Sequence, residues 1–262
     1  MNPLQLSHQA AASEQPIEHR FYPYDYNGGC VFSPNRAPLC ILLKLSPRHA
    51  CVCSTVLAVA GKDFSIVAGD TRMSTGFNIK SRNVTKIYTI NQKTVLGTGG
   101  FRGDITTLQK VLRAKVTQYE HKHGGMILPH AVAQDLANTL YGRRFFPYYT
   151  WNVLAGLDQE GVGVVYTYDP VGNYERVRVS VTGSGESLIQ PLLDNQLERQ
   201  HQSLGAKPPP LHIDLELADA VDLVKDAFVS AGERDIKTGD SVEICIITKE
   251  GVRIETHPLN ID

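Results

Sequence analysis

The sequence predicts an α+β fold, a four-layer αββα sandwich of two antiparallel sheets held between layers of helices. Three observations lead there. Short runs of β-prone apolar residues occur at the start, middle and end of the region after Thr55, the pattern of packed strands. Between those runs lie two stretches in which apolar residues recur at helical spacing, and each stretch reads as a pair of helices. The links between successive strands are turn-like, which suits hairpins and not parallel crossovers. Helix pairs inserted between sheet segments have to cover sheet faces, and stacking two sheets between two helix layers buries those faces together.

The elements follow in order. Thr55–Ala60 is apolar and β-prone, Gly61-Lys62-Asp63 supplies a turn, and Phe64–Ala68 alternates apolar with small or polar residues, so the first two strands form a hairpin. Lys86–Ile90 and Thr94–Thr98 make a second pair around Asn91-Gln92-Lys93. Four strands in such quick succession imply an antiparallel sheet. Ile105, Leu108, Val111, Leu112 and Val116 mark a first helix, and a second runs from His130 to Tyr141 and stops at Gly142. Strands return at Thr150–Leu157, Gly163–Tyr168 and Tyr174–Val181, with turns at Asp158–Gly161 and Asp169–Asn173. A third helix follows Gly185. The fourth, from Leu215 to Ala231, carries a stripe of Leu217, Val221, Val224, Phe228 and Ala231, with Asp214 as N-cap and Gly232 as stop. Val242–Thr248 and Val252–His257 close as a hairpin.

Composition narrows the class. Of 262 residues, 42% are hydrophobic and 20% charged, enough to build a sizeable core without disulfide or metal staples. A net charge of -1 sets up no field that draws nucleic acid or an anionic membrane, so neither is expected as a partner. Met1–Glu18 lacks the basic start and apolar stretch of a signal peptide, and the dense run Leu39–Leu45 is far shorter than the ~20 residues of a membrane helix. The expectation is an intracellular, soluble chain. Cys30, Cys40, Cys51 and Cys53 crowd one stretch and Cys245 stands alone, an odd count that suits a reducing compartment. His49, Cys51 and Cys53 lack the fourth ligand of a tetrahedral zinc site, so no metal and no cofactor is expected.

Three motifs bear on chemistry. Gly97-Thr98-Gly99-Gly100-Phe101-Arg102-Gly103 follows a strand and opens a helix. Its spacing is wrong for a dinucleotide-binding loop, and a second helix follows instead of a parallel strand. Its alternatives are a tight turn or, beside a cleft, glycine N–H groups forming an oxyanion hole. Asp70-Thr71-Arg72 ends a strand and Lys86 begins another, while Arg234-Asp235-Ile236-Lys237-Thr238-Gly239 follows the fourth helix. Taken singly, each is a solvated loop charge. Together they suit a hydroxyl nucleophile, which needs a base and a nearby cation, and a buried lysine paired with aspartates supplies that setting.

The run Thr55-Val-Leu-Ala-Val-Ala-Gly-Lys-Asp-Phe-Ser-Ile-Val-Ala-Gly-Asp-Thr-Arg72 resembles the opening of a proteasome beta subunit, a branch of the N-terminal-nucleophile hydrolases. Lys86, Gly99-Gly100, Ser184-Gly185 and Asp235-x-x-Thr238-Gly239 match the family's remaining active-site positions in order. Tyr24-Asp-Tyr-Asn-Gly-Gly29, Arg143-Arg-Phe-Phe-Pro-Tyr-Tyr149, Tyr168-Asp-Pro-Val-Gly-Asn-Tyr174 and Gln190-Pro-Leu-Leu-Asp-Asn-Gln196 resemble one non-catalytic member of the ring. The resemblance implies an N-terminal-nucleophile sandwich. It also implies a place in the beta ring of the 20S core, with neighbouring beta subunits, alpha-ring subunits and assembly chaperones as partners, in cytoplasm and nucleus. Aromatics and arginines, as in Arg143–Trp151, are typical anchors of such contacts.

Catalytic members of the family expose a threonine as mature N-terminus, and its amine is the base for its own hydroxyl. The resemblance, aligned through Asp70 and Lys86, puts Ser54 at that position and Thr55 one place later, where the resembled member carries Asn-Gly-Gly-Thr. Ser54, Asp70, Lys86, Gly100, Ser184, Asp235 and Thr238 are then the vestigial active-site positions, none of them catalytic. The expected organisation is an N-terminal, propeptide-like extension at 1–29, an atypical and disordered insertion at 30–54, and the beta-subunit domain at 55–262. The insertion is cysteine-rich and aperiodic, contains Pro34, Pro38 and Pro47, and reads as a translated intron or a misplaced gene boundary, with a functional loop as the alternative. Two readings stand at this point: a structural ring member, or an active N-terminal-nucleophile peptidase subunit.

Overall fold

The computed structural model describes residues 55–198 and 215–259. The segments 1–29 and 30–54, with His49, Cys51, Cys53 and Ser54, lie outside the described residues, as does the expected N-cap Asp214. The elements are β1 (Thr55–Ala60), β2 (Ser65–Asp70), β3 (Met73–Thr75), β4 (Asn78–Ser81), β5 (Ile87–Asn91), β6 (Thr94–Gly100), α1 (Arg102–His123), α2 (Pro129–Tyr141), β7 (Thr150–Leu157), β8 (Gly163–Tyr168), β9 (Tyr174–Val177), β10 (Val179–Gly183), α3 (Glu186–Leu193), α4 (Leu217–Gly232), β11 (Ser241–Thr248) and β12 (Gly251–Pro258).

Two antiparallel five-stranded sheets, ordered β10-β1-β2-β11-β12 and β5-β6-β7-β8-β9, stack face to face, with β3-β4 as a separate ribbon. Strand periodicity sorts the side chains into three apolar layers. From β1, Val56 and Ala58 point between the sheets, where they meet Val67, Val95, Val153, Ala155, Val165 and Cys245. Leu57 and Val59 point the other way and pack with Ile66, Val181 and Ile244 beneath Ile189, Leu193, Val224 and Phe228 of α3 and α4. On the far side, Leu96, Leu154 and Tyr168 lie under Leu108, Leu112, Leu136 and Leu140 of α1 and α2. Every residue of β1 and β2 is therefore buried. Each fully covered leucine of this kind contributes about 1.5–3 kcal/mol. The expected four-layer αββα sandwich is the observed architecture.

Three sequence expectations need correction. The first four strands do not share a sheet: β1 and β2 belong to one and β5 and β6 to the other. The single strand expected at Tyr174–Val181 is two strands in different sheets, because β9 pairs with β8 and β10 pairs with β1. The switch is at Arg178, whose carbonyl accepts from the Ala60 N–H at 2.7 Å. The segment between Arg72 and Arg82 also holds the β3-β4 ribbon, with its turn at Gly76-Phe77. α4 begins at Leu217 after Glu216.

Candidate functional site

The antiparallel register of β1 and β2 sets Val56 opposite Gly69, which leaves Thr55 beside Asp70. The Thr55 N–H donates to Asp70 Oδ1 at 2.8 Å, and Lys86 Nζ donates to the same oxygen at 2.5 Å. Lys86 immediately precedes β5, so this ion pair ties one sheet to the other. The Lys86 carbonyl is held in turn by the Thr98 N–H at 2.9 Å. Both partners are buried, Asp70 completely. Burial pushes the Asp70 carboxyl above its usual range, while Lys86 and the Thr55 N–H pull it back. Its second oxygen, Oδ2, has no hydrogen-bond partner among the described residues.

The Thr55 hydroxyl enters a second chain of contacts. It accepts from the Gly185 N–H at 3.0 Å and lies 2.6 Å from Thr238 Oγ1, which donates to Asp235 Oδ2 at 2.7 Å. A hydroxyl has one proton. Thr238 spends its proton on Asp235, so the Thr55 hydroxyl donates to Thr238, and the direction Thr55 to Thr238 to Asp235 is fixed. Gly185 stands close enough that a Cβ there would fall 2.7 Å from Thr55 Oγ1. Thr55 itself is fully buried. Its nitrogen follows Ser54 in the sequence and is a peptide amide, which has no basic lone pair to accept a proton.

The loop that carries Asp235 and Thr238 is anchored by a second ion cluster. Arg72, buried between β2 and β3, donates from Nε to Asp240 Oδ2 at 3.0 Å, from Nη2 to Asp240 Oδ1 at 3.3 Å and from Nη1 to the Ile236 carbonyl at 3.0 Å. Arg82, just beyond β4, also donates to Asp240 Oδ1. Burial works against the charge on Asp240, but the two guanidiniums outweigh it and hold the carboxyl below its usual range. A Cβ on Gly239 would fall 2.5 Å from the Arg72 guanidinium.

The structure thus brings Asp70, Lys86, Asp235 and Thr238 together around Thr55. Ser184 directly precedes Gly185, and its buried hydroxyl has no hydrogen-bond partner among the described residues. Gly100 ends β6 in the left-handed region at φ 113, where the chain turns into α1. Ser54 lies outside the described residues. The residues that the sequence reading did not single out are Gly185 as a donor and the cluster of Arg72, Arg82 and Asp240. Arg72 is not a solvated loop charge but one of the largest fully buried side chains. Its partner is 168 positions away, and no local pattern announces the pairing.

Among the described residues no group of three or more His, Cys, Asp or Glu side chains is arranged to hold a metal ion. No described helix is long and apolar enough to cross a membrane. Away from the cluster around Thr55, Tyr141, Phe145 and Phe146 are largely exposed, and Arg143 lies 4.8 Å over the Tyr148 ring.

The family model for proteasome subunits matches residues 53–247. The chain is 44% identical over 247 residues to a proteasome subunit beta type-1-B of Carassius auratus, covering 94% of this chain and 92% of that one. It is 49% identical over 208 residues to proteasome subunit beta type-1 of Arabidopsis thaliana, covering 79% and 93%. Proteasome subunit beta type-6 of Saccharomyces cerevisiae is 38% identical over 260 residues, covering 97% of each chain. The four-layer sandwich, the cluster around Thr55 and these similarities agree, and the chain belongs to the proteasome subunit family.

Proposed function

We propose that this chain is a non-catalytic subunit of the beta ring of the 20S proteasome core, shaping the chamber in which other subunits cut proteins. The observation that carries this reading is the residue at the nucleophile position: aligned through Asp70 and Lys86 it is Ser54, preceded by Cys53, where a catalytic member carries threonine. The threonine one place later, Thr55, is buried, its amide committed to Asp70 and its hydroxyl to Gly185 and Thr238. An N-terminal-nucleophile threonine needs a free amine as base and a hydroxyl open to substrate, and Thr55 offers neither. Asp70, Lys86, Gly100, Ser184, Asp235 and Thr238 are retained as framework. Keeping the Asp70–Lys86 pair is understandable, because removing one partner leaves the other charge buried without compensation.

The partners in this reading are neighbouring beta subunits, alpha-ring subunits and assembly chaperones, in the cytoplasm and nucleus, with no nucleic acid and no membrane. The exposed Phe145 and Phe146 beside Arg143 have the composition of a protein interface core. The physiological form joins Gly29 to Thr55 and lacks residues 30–54, and the fold after Thr55 does not need them. Purifying the particle from cells and measuring subunit masses and tryptic peptides tests this. The expected results are co-purification with a proteasome-sized particle and a peptide spanning Asn27-Gly28-Gly29-Thr55. Abundant peptides from Ala37–Lys44, or a mature chain that begins at Ser54, would reopen the peptidase reading.

A further inference from the structure

The β3-β4 hairpin projects the most exposed apolar side chain of its region, Phe77, at 91% exposure, with Ile79 beside it. Its two legs leave and rejoin the body at neighbouring points. Thr71 Oγ1 donates to the Arg82 carbonyl at 2.8 Å, and the Val84 N–H donates to the Thr71 carbonyl at 3.0 Å, which zips the base. From that base Arg72 on the outgoing leg and Arg82 on the returning leg converge on the same carboxylate, that of Asp240. Asp240 belongs to the opposite end of the chain. It holds a left-handed backbone, φ 69, unusual for a residue with a side chain. The loop it closes contains Thr238 and Asp235, the last two links of the Thr55 hydroxyl chain. The Ile236 carbonyl adds a second tie from the same loop to Arg72.

We infer that Asp240 is a positioning residue that joins the exposed β3-β4 hairpin and the loop carrying Asp235 and Thr238 into one mechanical unit, so that a displacement of the hairpin is passed to the loop behind Thr55. The geometry supports this in three ways. The bond pattern from the outgoing leg is bidentate, which fixes angle as well as distance. The Arg72 guanidinium is buried and packs directly on Gly239 of that loop, where a Cβ would fall 2.5 Å from it. Both legs share one carboxylate, so a shift of either leg moves the acceptor of the other. This inference goes beyond the structural-subunit reading and does not need it, since it concerns how two parts of this chain move.

Hydrogen exchange read by mass spectrometry on the full-length chain tests the link. The reporters are the hairpin amides between Met73 and Ser81 and the loop amides of Lys237 and Thr238, which bond to the Asp235 side chain and carbonyl. Two variants are compared, Asp240→Asn and the milder Arg82→Gln, the latter at a half-exposed side chain. Lys115→Ala, which breaks the α1–α2 pair with Asp135, is the control and should alter neither segment. Exchange at both segments is expected to rise together, by about tenfold or more in Asp240→Asn and by less in Arg82→Gln. If Arg82→Gln loosens the hairpin while Lys237 and Thr238 exchange as before, the two parts are independent and the inference fails. Arg82→Gln decides the matter even if Asp240→Asn does not fold.

Discussion

Two buried carboxylates at the same end of one sheet meet opposite treatment. Asp70 ends β2 and Asp240 immediately precedes β11, and the two strands are adjacent. Asp70 has one lysine, one unpartnered oxygen among the described residues and a carboxyl pushed up by burial. Asp240 has two guanidiniums and a carboxyl held down. The under-compensated Asp70, beside a lysine and a threonine at a strand start, has the electrostatics of a reactive site. Here that electrostatic setting surrounds a hydroxyl that is already bonded on both sides. The pairing teaches that two carboxylates on adjacent strands of one sheet are held in opposite electrostatic states by the cations each one meets.

Removing Asp240 should have the largest effect. Asp240→Ala leaves Arg72 buried without its partner, and denaturant unfolding should show a loss of about 3–5 kcal/mol. Lys86→Ala should cost less, about 1–3 kcal/mol, because burial raises the pKa of the Asp70 carboxyl and protonation of it then offsets part of the lost pairing. Equal costs for the two variants would remove the distinction drawn between the carboxylates. Thr238→Val, which cuts the hydroxyl chain from Thr55, should cost about 1 kcal/mol and leave both ion clusters in place.

Acidity separates the two carboxylates by sign. Asp240 has a folded-state value below the ordinary 3.8, so its contribution is full above 3.8 and is lost as pH falls through the folded value. The penalty of Asp240→Ala should therefore shrink in that acid window. Asp70 has a folded-state value above 3.8, so its carboxyl weighs against the fold increasingly as pH rises from 3.8 through that value. Asp70→Asn should gain on the parent chain across that rise. Stability curves with the same pH dependence for both variants would show that the two environments do not differ as described.

Much of this was legible in the sequence where the signal is local. The stripe in α4, the hairpin of β11 and β12, and the run from Thr55 to Arg72 each carry their pattern within a few residues. The change of sheet at Arg178 was not, because Val177–Val181 alternates apolar and polar residues straight across it, with no glycine or proline to mark the break. The β3-β4 ribbon hid because its strands are only 3 and 4 residues long and the second is polar. At the Thr55 cluster, the resemblance indicated Asp70, Lys86, Asp235 and Thr238, and the fold gathers them around Thr55. The donor role of Gly185 and the convergence of Arg72 and Arg82 on Asp240 depend on backbone placement and long-range pairing, which single positions do not encode.

The most direct test of the central claim is peptide hydrolysis by assembled particles that carry Lys86→Ala in this chain, normalised to particle number. A framework role predicts fewer or less stable particles, each hydrolysing every class of peptide at the parental rate. Normal assembly with the loss of one cleavage specificity would contradict it, and would mean that Lys86 serves a working nucleophile in this subunit.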